Sequence, residues 1–70
     1  MNTNILMAQL ALHSQKISDL SKAIGISKSA LYRRLKGTAR FNREEIQKTI
    51  KFLNLSNETA MEIFFADEVS

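Results

Sequence analysis

The stretch Gly25 to Gly37, GISKSALYRRLKG, decides the fold. At its start, Ile24-Gly25-Ile26-Ser27 ends one helical pattern with a glycine, which tolerates the left-handed backbone of a helix C-terminus, and opens the next with a serine able to cap it. Two short helices are expected to meet there at a sharp turn. In the second, Ala30, Leu31 and Leu35 recur at roughly i and i+4 and form a buried stripe, which leaves Lys28, Ser29, Tyr32, Arg33 and Lys36 outside. That outer face carries hydrogen-bond donors and one aromatic ring. Upstream, Leu20, Ala23 and Ile24 fall at helical spacing, with Ser18 as the expected N-cap and Asp19 in the first turn, where its charge complements the helix dipole.

This segment resembles the helix-turn-helix of the Cro/repressor family of phage and bacterial regulators, the XRE-like group. Leu20, the small Ser21 and Ile24 stand where that family packs its first motif helix, and Gly25-Ile26-Ser27 matches its turn. Leu31 matches the buried anchor of its recognition helix, and Gly37 stands where many members end that helix. Two positions depart from the pattern: Ser21 replaces the commoner alanine, and Arg34 replaces a half-buried aliphatic residue, with Leu35 taking over the packing. The likeness runs over nearly the whole chain, and more narrowly it is to short phage-encoded Cro/CI-type regulators of Gram-positive hosts. It implies an all-α, lambda-repressor-like bundle of about five short helices, with the motif at the second and third.

The rest of the chain fits that expectation. Proline is absent, glycine occurs only at positions 25 and 37, and no stretch alternates apolar and polar residues long enough to make a strand. The first helix is expected from about Asn4 to His13, capped by Thr3 or Asn2, with Ile5, Leu6, Leu10 and Leu12 buried and some of Met7, Ala8 and Ala11 covered as well. The fourth begins at Asn42, because Asn42 and Glu45 form a capping-box pattern and Phe41 can close on Ile46 as a hydrophobic staple. Its core stripe is expected to be Ile46, Ile50 and Leu53, with Phe52 at one flank. Ser56 should cap a last helix, about residues 57–66, holding Ala60, Met61, Ile63, Phe64 and Phe65.

With 70 residues the chain makes one small domain, residues 1–70, near the lower limit for a core without staples. No cysteine means no disulfide or thiolate metal site, and the single histidine, His13, cannot build a zinc site alone; no metal or cofactor is expected. The apolar run Ile5 to Leu12 is broken by Gln9 and has no basic flank, so it is neither a signal core nor a membrane span. A cytoplasmic protein without a membrane partner or small-molecule ligand is the expectation. On that reading the two N-x-S/T matches, at Asn54 and Asn57, are chance and helix capping.

Net charge is +3, yet residues 28 to 51 hold eight lysines and arginines against Glu44 and Glu45, a local +6. From Phe52 onward the chain has four acids, Glu58, Glu62, Asp67 and Glu68, and no lysine or arginine. The central third therefore suits phosphates and the last third does not.

By resemblance, Lys28, Ser29, Tyr32 and Arg33 are the residues that reach base edges. Arg33 is the leading reader, because its planar fork can donate to both O6 and N7 of guanine. Ser18, Ser27, Arg34, Lys36, Thr38, Arg40 and Arg43 are expected at the sugar-phosphate backbone, with Arg34 reaching either a phosphate or an acidic neighbour. Phe64 and Phe65 are adjacent and point about 100° apart on a helix, so one of them is surplus to a narrow core. Met61, Phe64, Phe65 and Val69 are the expected dimer surface, the alternative being one broad face that covers both rings within the monomer.

The expected function is a sequence-specific regulator binding double-stranded operator DNA as a homodimer, of the Cro-like or small-repressor kind. A protein-binding module such as an antirepressor is the alternative. No catalytic constellation is present: the serines serve as caps, His13 has apolar neighbours, and Asp19 beside Lys16 and Lys22 makes a surface charge pair. Single-stranded RNA binding is disfavoured, since one tyrosine is no stacking platform.

Overall fold

In the computed structural model, which describes residues 1–65, the chain forms α1 (Thr3–Leu12), α2 (Ile17–Ile24), α3 (Lys28–Lys36), α4 (Arg43–Leu53) and α5 (Asn57–Phe64), with no strand among the described residues. Polar side chains start four of these helices. Asn2 accepts from the Ile5 N–H at 3.2 Å, Ser27 from Ala30 at 3.1 Å, Asn42 from Glu45 at 2.8 Å and Ser56 from Thr59 at 3.1 Å. Each such cap stabilises its helix by about 1 kcal/mol.

The exception is α2, which Ser18 does not cap. The helix begins two residues earlier than a Ser18 cap implies, with Lys16 at the cap position, so that Ile17, Leu20, Ser21 and Ile24 share one face at i, i+3, i+4 and i+7. Asp19 closes its start by accepting the Lys16 N–H at 2.8 Å, and the Ser18 carbonyl accepts the Ser21 hydroxyl at 2.8 Å. Burying a serine at position 21 is tolerated because that bond satisfies it.

The core consists of Leu6 and Leu10 from α1, Leu20 and Ile24 from α2, Leu31 from α3, Leu53 from α4, Leu55 from the following turn, and Ala60 and Ile63 from α5. α2 packs against both α3 and α4, while α1 packs against α5. Leu12 departs from expectation: it is 74% exposed. Leu6 and Leu10 are one turn apart, and two further residues carry Leu12 about 200° around the helix, to its outer side. Met7, Ala8 and Ala11 are exposed as well.

α4 is also rolled by one residue from the expected stripe. Its buried line is Glu45, Thr49 and Leu53, with Ile46 and Ile50 half-buried alongside. Both polar members are satisfied: Thr49 donates its hydroxyl to the Glu45 carbonyl at 2.8 Å, and the Glu45 carboxylate is held as described below.

Short links tie the ends of the bundle together. The Asn2 N–H donates to the Ile63 carbonyl at 2.7 Å, and the Thr3 hydroxyl donates to the Leu35 carbonyl at 3.1 Å. α5 ends at Phe64, and the expected contribution of Val69 lies outside the described residues. No helix of the described residues is long and apolar enough to cross a membrane.

Candidate nucleic-acid interface

The turn between α2 and α3 is set by Gly25, whose φ of +78° lies in the left-handed region. Its N–H and that of Ile26 both bond the Ser21 carbonyl, at 2.9 and 3.0 Å, which closes α2. Ser27 then caps α3, so Gly25 and Ile26 alone separate helix from cap. α3 ends at Gly37, left-handed at φ +89°.

Only Leu31 of α3 is buried. Lys28, Ser29, Tyr32, Arg33 and Lys36 are all exposed, Tyr32 at 46%. At 100° per residue these five fall within an arc of about 140°, opposite Ala30, Leu31, Arg34 and Leu35. A nine-residue cationic helix thus presents one continuous donor face, with two capped ends and a glycine turn behind it. A helix held in this way fits the major groove, where each base pair shows its own pattern of donors and acceptors.

The description of the Cro/C1-type HTH DNA-binding domain matches residues 6–65. The chain belongs to that family. It is a DNA-binding regulator of the helix-turn-helix class, with α2 and α3 as the motif and double-stranded DNA as its partner. No curated protein and no solved structure matches it.

Within this HTH domain the side chains expected at the sugar-phosphate backbone take varied positions. Lys36, Arg40 and Arg43 are exposed, and none has a carboxylate within ion-pair distance among the described residues. Arg43 occupies the first turn of α4, where the helix dipole opposes a cation. Ser27 is exposed, with its oxygen accepting the Ala30 N–H. Thr38 is exposed but its hydroxyl donates to the Arg33 carbonyl at 3.0 Å, so it closes the end of α3. Ser18 lies half-buried in the first turn of α2.

Arg34 faces inward, to the acidic neighbour. Its Nε donates to Glu45 Oε1 at 2.8 Å, its Nη2 to Glu45 Oε2 at 3.1 Å, and its Nη1 to the Ala30 carbonyl at 3.0 Å. Glu45 was readable in the sequence as the partner of Asn42 in a capping box, and it does accept the Asn42 N–H at 3.1 Å. Its burial was not readable that way. The available signal was a cation on the inner side of α3, which needs a carboxylate opposite it.

The residues expected at a dimer surface are divided. Met61 is 54% exposed, whereas Phe64 and Phe65 are half-buried. Phe64 packs on Phe41 within the chain.

Proposed function

We propose that the 70-residue chain acts as one sequence-specific DNA-binding domain, a Cro-like or small repressor that binds a phage operator in the bacterial cytoplasm as a homodimer. The observation that carries this reading is the exposed cationic face of α3, whose Lys28, Arg33 and Lys36 have no ion-pair partner among the described residues. In this reading Arg33 reads a guanine through a bidentate fork, Lys28 and Ser29 at the helix start reach a base edge or phosphate, and Tyr32 packs on a thymine methyl. Lys36, Arg40 and Arg43 grip the backbone beside the helix, with Ser18 and Ser27 at the starts of α2 and α3 and Thr38 after α3 as lesser contacts.

The acidic helix α5 faces away from phosphate in this arrangement, and Met61, Phe65 and Val69, with the outer edge of Phe64, pair the subunits. A two-fold dimer places its half-sites about 10 base pairs apart, one turn of the duplex. Selection of bound sequences from random duplex DNA tests the proposal: a repeated motif in two halves at that spacing is the expected result. A stable complex with another protein, together with no salt-sensitive DNA binding, would instead make the chain a protein-binding module.

A further inference from the structure

α3 is held along its length by caps at both ends. Laterally, Leu31 is its sole fully buried side chain and Leu35 packs half-buried against the core about 40° away from it, so this apolar stripe braces one flank of the helix, while Arg34 lies about 60° from Leu31 on the other flank. α3 shares its main packing face with α2, and α2 rather than α3 packs broadly on α4. Against that background the Arg34 guanidinium forms a strut. One side grips the Ala30 carbonyl of its own helix, and the other forks onto both oxygens of Glu45 in the first turn of α4. The pair is shielded, with side-chain exposures of 17% and 8%. Glu45 is itself immobilised, because Oε1 also accepts the Asn42 N–H and the Glu45 N–H bonds Asn42 in return.

We infer that Glu45 and Arg34 are positioning residues for base reading: the buried fork sets the roll of the recognition helix, and thereby which side chains of its outer face meet the base edges. The inference rests on the proposed reading of α3 as the helix in the major groove. Arg33 is the immediate neighbour of Arg34, so any roll that frees the inner arginine swings the outer one. A roll of about 20° moves a guanidinium carried roughly 8 Å from the axis by about 3 Å, the length of a hydrogen bond. Phosphate contacts tolerate such a shift better than base contacts do, since long cationic side chains can follow the backbone while a bidentate base contact cannot bend. Loss of the strut should therefore lower specificity more than affinity.

The test compares the unaltered protein with Glu45→Gln, Arg34→Lys and, as control, Arg33→Ala. Glutamine retains an acceptor for the Asn42 N–H but no charge for Arg34; lysine retains the charge but has no fork. Affinities for a selected duplex and for a scrambled one are measured at one salt concentration, beside helical content and melting temperature. In folded Glu45→Gln and Arg34→Lys, the ratio of selected to scrambled affinity should fall about tenfold, with scrambled binding held within about threefold. A ratio within twofold of the parent in either folded variant would overturn the inference and leave the pair a stability feature. Should both variants unfold, the Arg34 Nε–H resonance of the unaltered protein decides: it should stay protected from solvent exchange with operator bound, and transfer of that proton to a phosphate contact would sink the idea. A parent without base preference, or an Arg33→Ala variant with the parent's preference, would instead remove the reading of α3 on which the inference stands.

Discussion

The ring of Phe64 meets that of Phe41 edge to face, with centroids 5.4 Å apart and planes at 76°. Phe41 precedes the cap of α4 and Phe64 ends α5, so this pair pins the segment after the recognition helix to the last helix of the bundle. An aromatic pair in this geometry contributes about 0.5–1.5 kcal/mol beyond the area it buries. A double-mutant cycle of Phe41→Leu and Phe64→Leu, followed by urea unfolding, should return a coupling energy in that range. A coupling indistinguishable from zero would mean that the two rings only share a surface.

Caps and turns were the most legible part of the chain, because they depend on the chemistry of one or two residues. Asn2, Ser27, Asn42 and Ser56 act as caps where serine or asparagine precedes an apolar pattern, and Gly25 and Gly37 end helices in the left-handed region. Ser18 misled because Ile17, one residue upstream, packs half-buried against the core as the first residue of the helix, and Asp19 could cap from inside the first turn. The outer face of α3 was legible from periodicity alone. On its inner face the Leu31 anchor was legible too, and an acidic neighbour was one of two expected ends for Arg34; that the neighbour is Glu45 was not legible, since the two lie 11 residues apart and their pairing depends on how α4 rolls against α2. Periodicity ranked Ile46 and Ile50 as the core of α4 by their side chains; the fold buries Glu45 and Thr49 because their polar groups find partners.

Gly25 has φ +78° and open space around the position a Cβ would occupy, so the cost of a side chain there is one of backbone conformation. Gly25→Ala should destabilise by about 1–2 kcal/mol, the penalty of a left-handed L-residue. Gly25→Asn should cost less, since asparagine tolerates this region and Asn54 already ends α4 at φ +50°. Thermal unfolding of both variants checks the order, and an alanine variant as stable as the parent would show that the turn can relax.

α1 offers a comparison between two leucines two residues apart. Leu10 is 2% exposed within the core and Leu12 is 74% exposed. Leu10→Ala should cost about 2–4 kcal/mol, through lost burial and the cavity left behind. Leu12→Ala should stay within about 0.5 kcal/mol of the parent when measured on dilute protein. If Leu12→Ala proves strongly destabilising and its effect grows with protein concentration, that side chain is covered by another copy of the chain.

The cations that surround α3 should divide into two classes by their response to salt. Arg40 and Arg43 are exposed beside the recognition helix without a carboxylate partner among the described residues, which suits contacts that neutralise phosphates. Each such contact releases condensed counterions, so removing one arginine per subunit should reduce the slope of log affinity against log salt by about 0.9 for each phosphate lost. Arg40→Ala should therefore weaken every duplex by a similar factor and flatten the salt dependence, with base preferences unchanged. Arg33→Ala should relax the preference at one base position per half-site, at a cost of about 1–3 kcal/mol for the best sequence. Titrations from 50 to 200 mM salt, on a selected and a scrambled duplex, separate the two patterns. A uniform loss in Arg33→Ala together with altered base preference in Arg40→Ala would reverse the assignment and turn the reading face toward the end of α3.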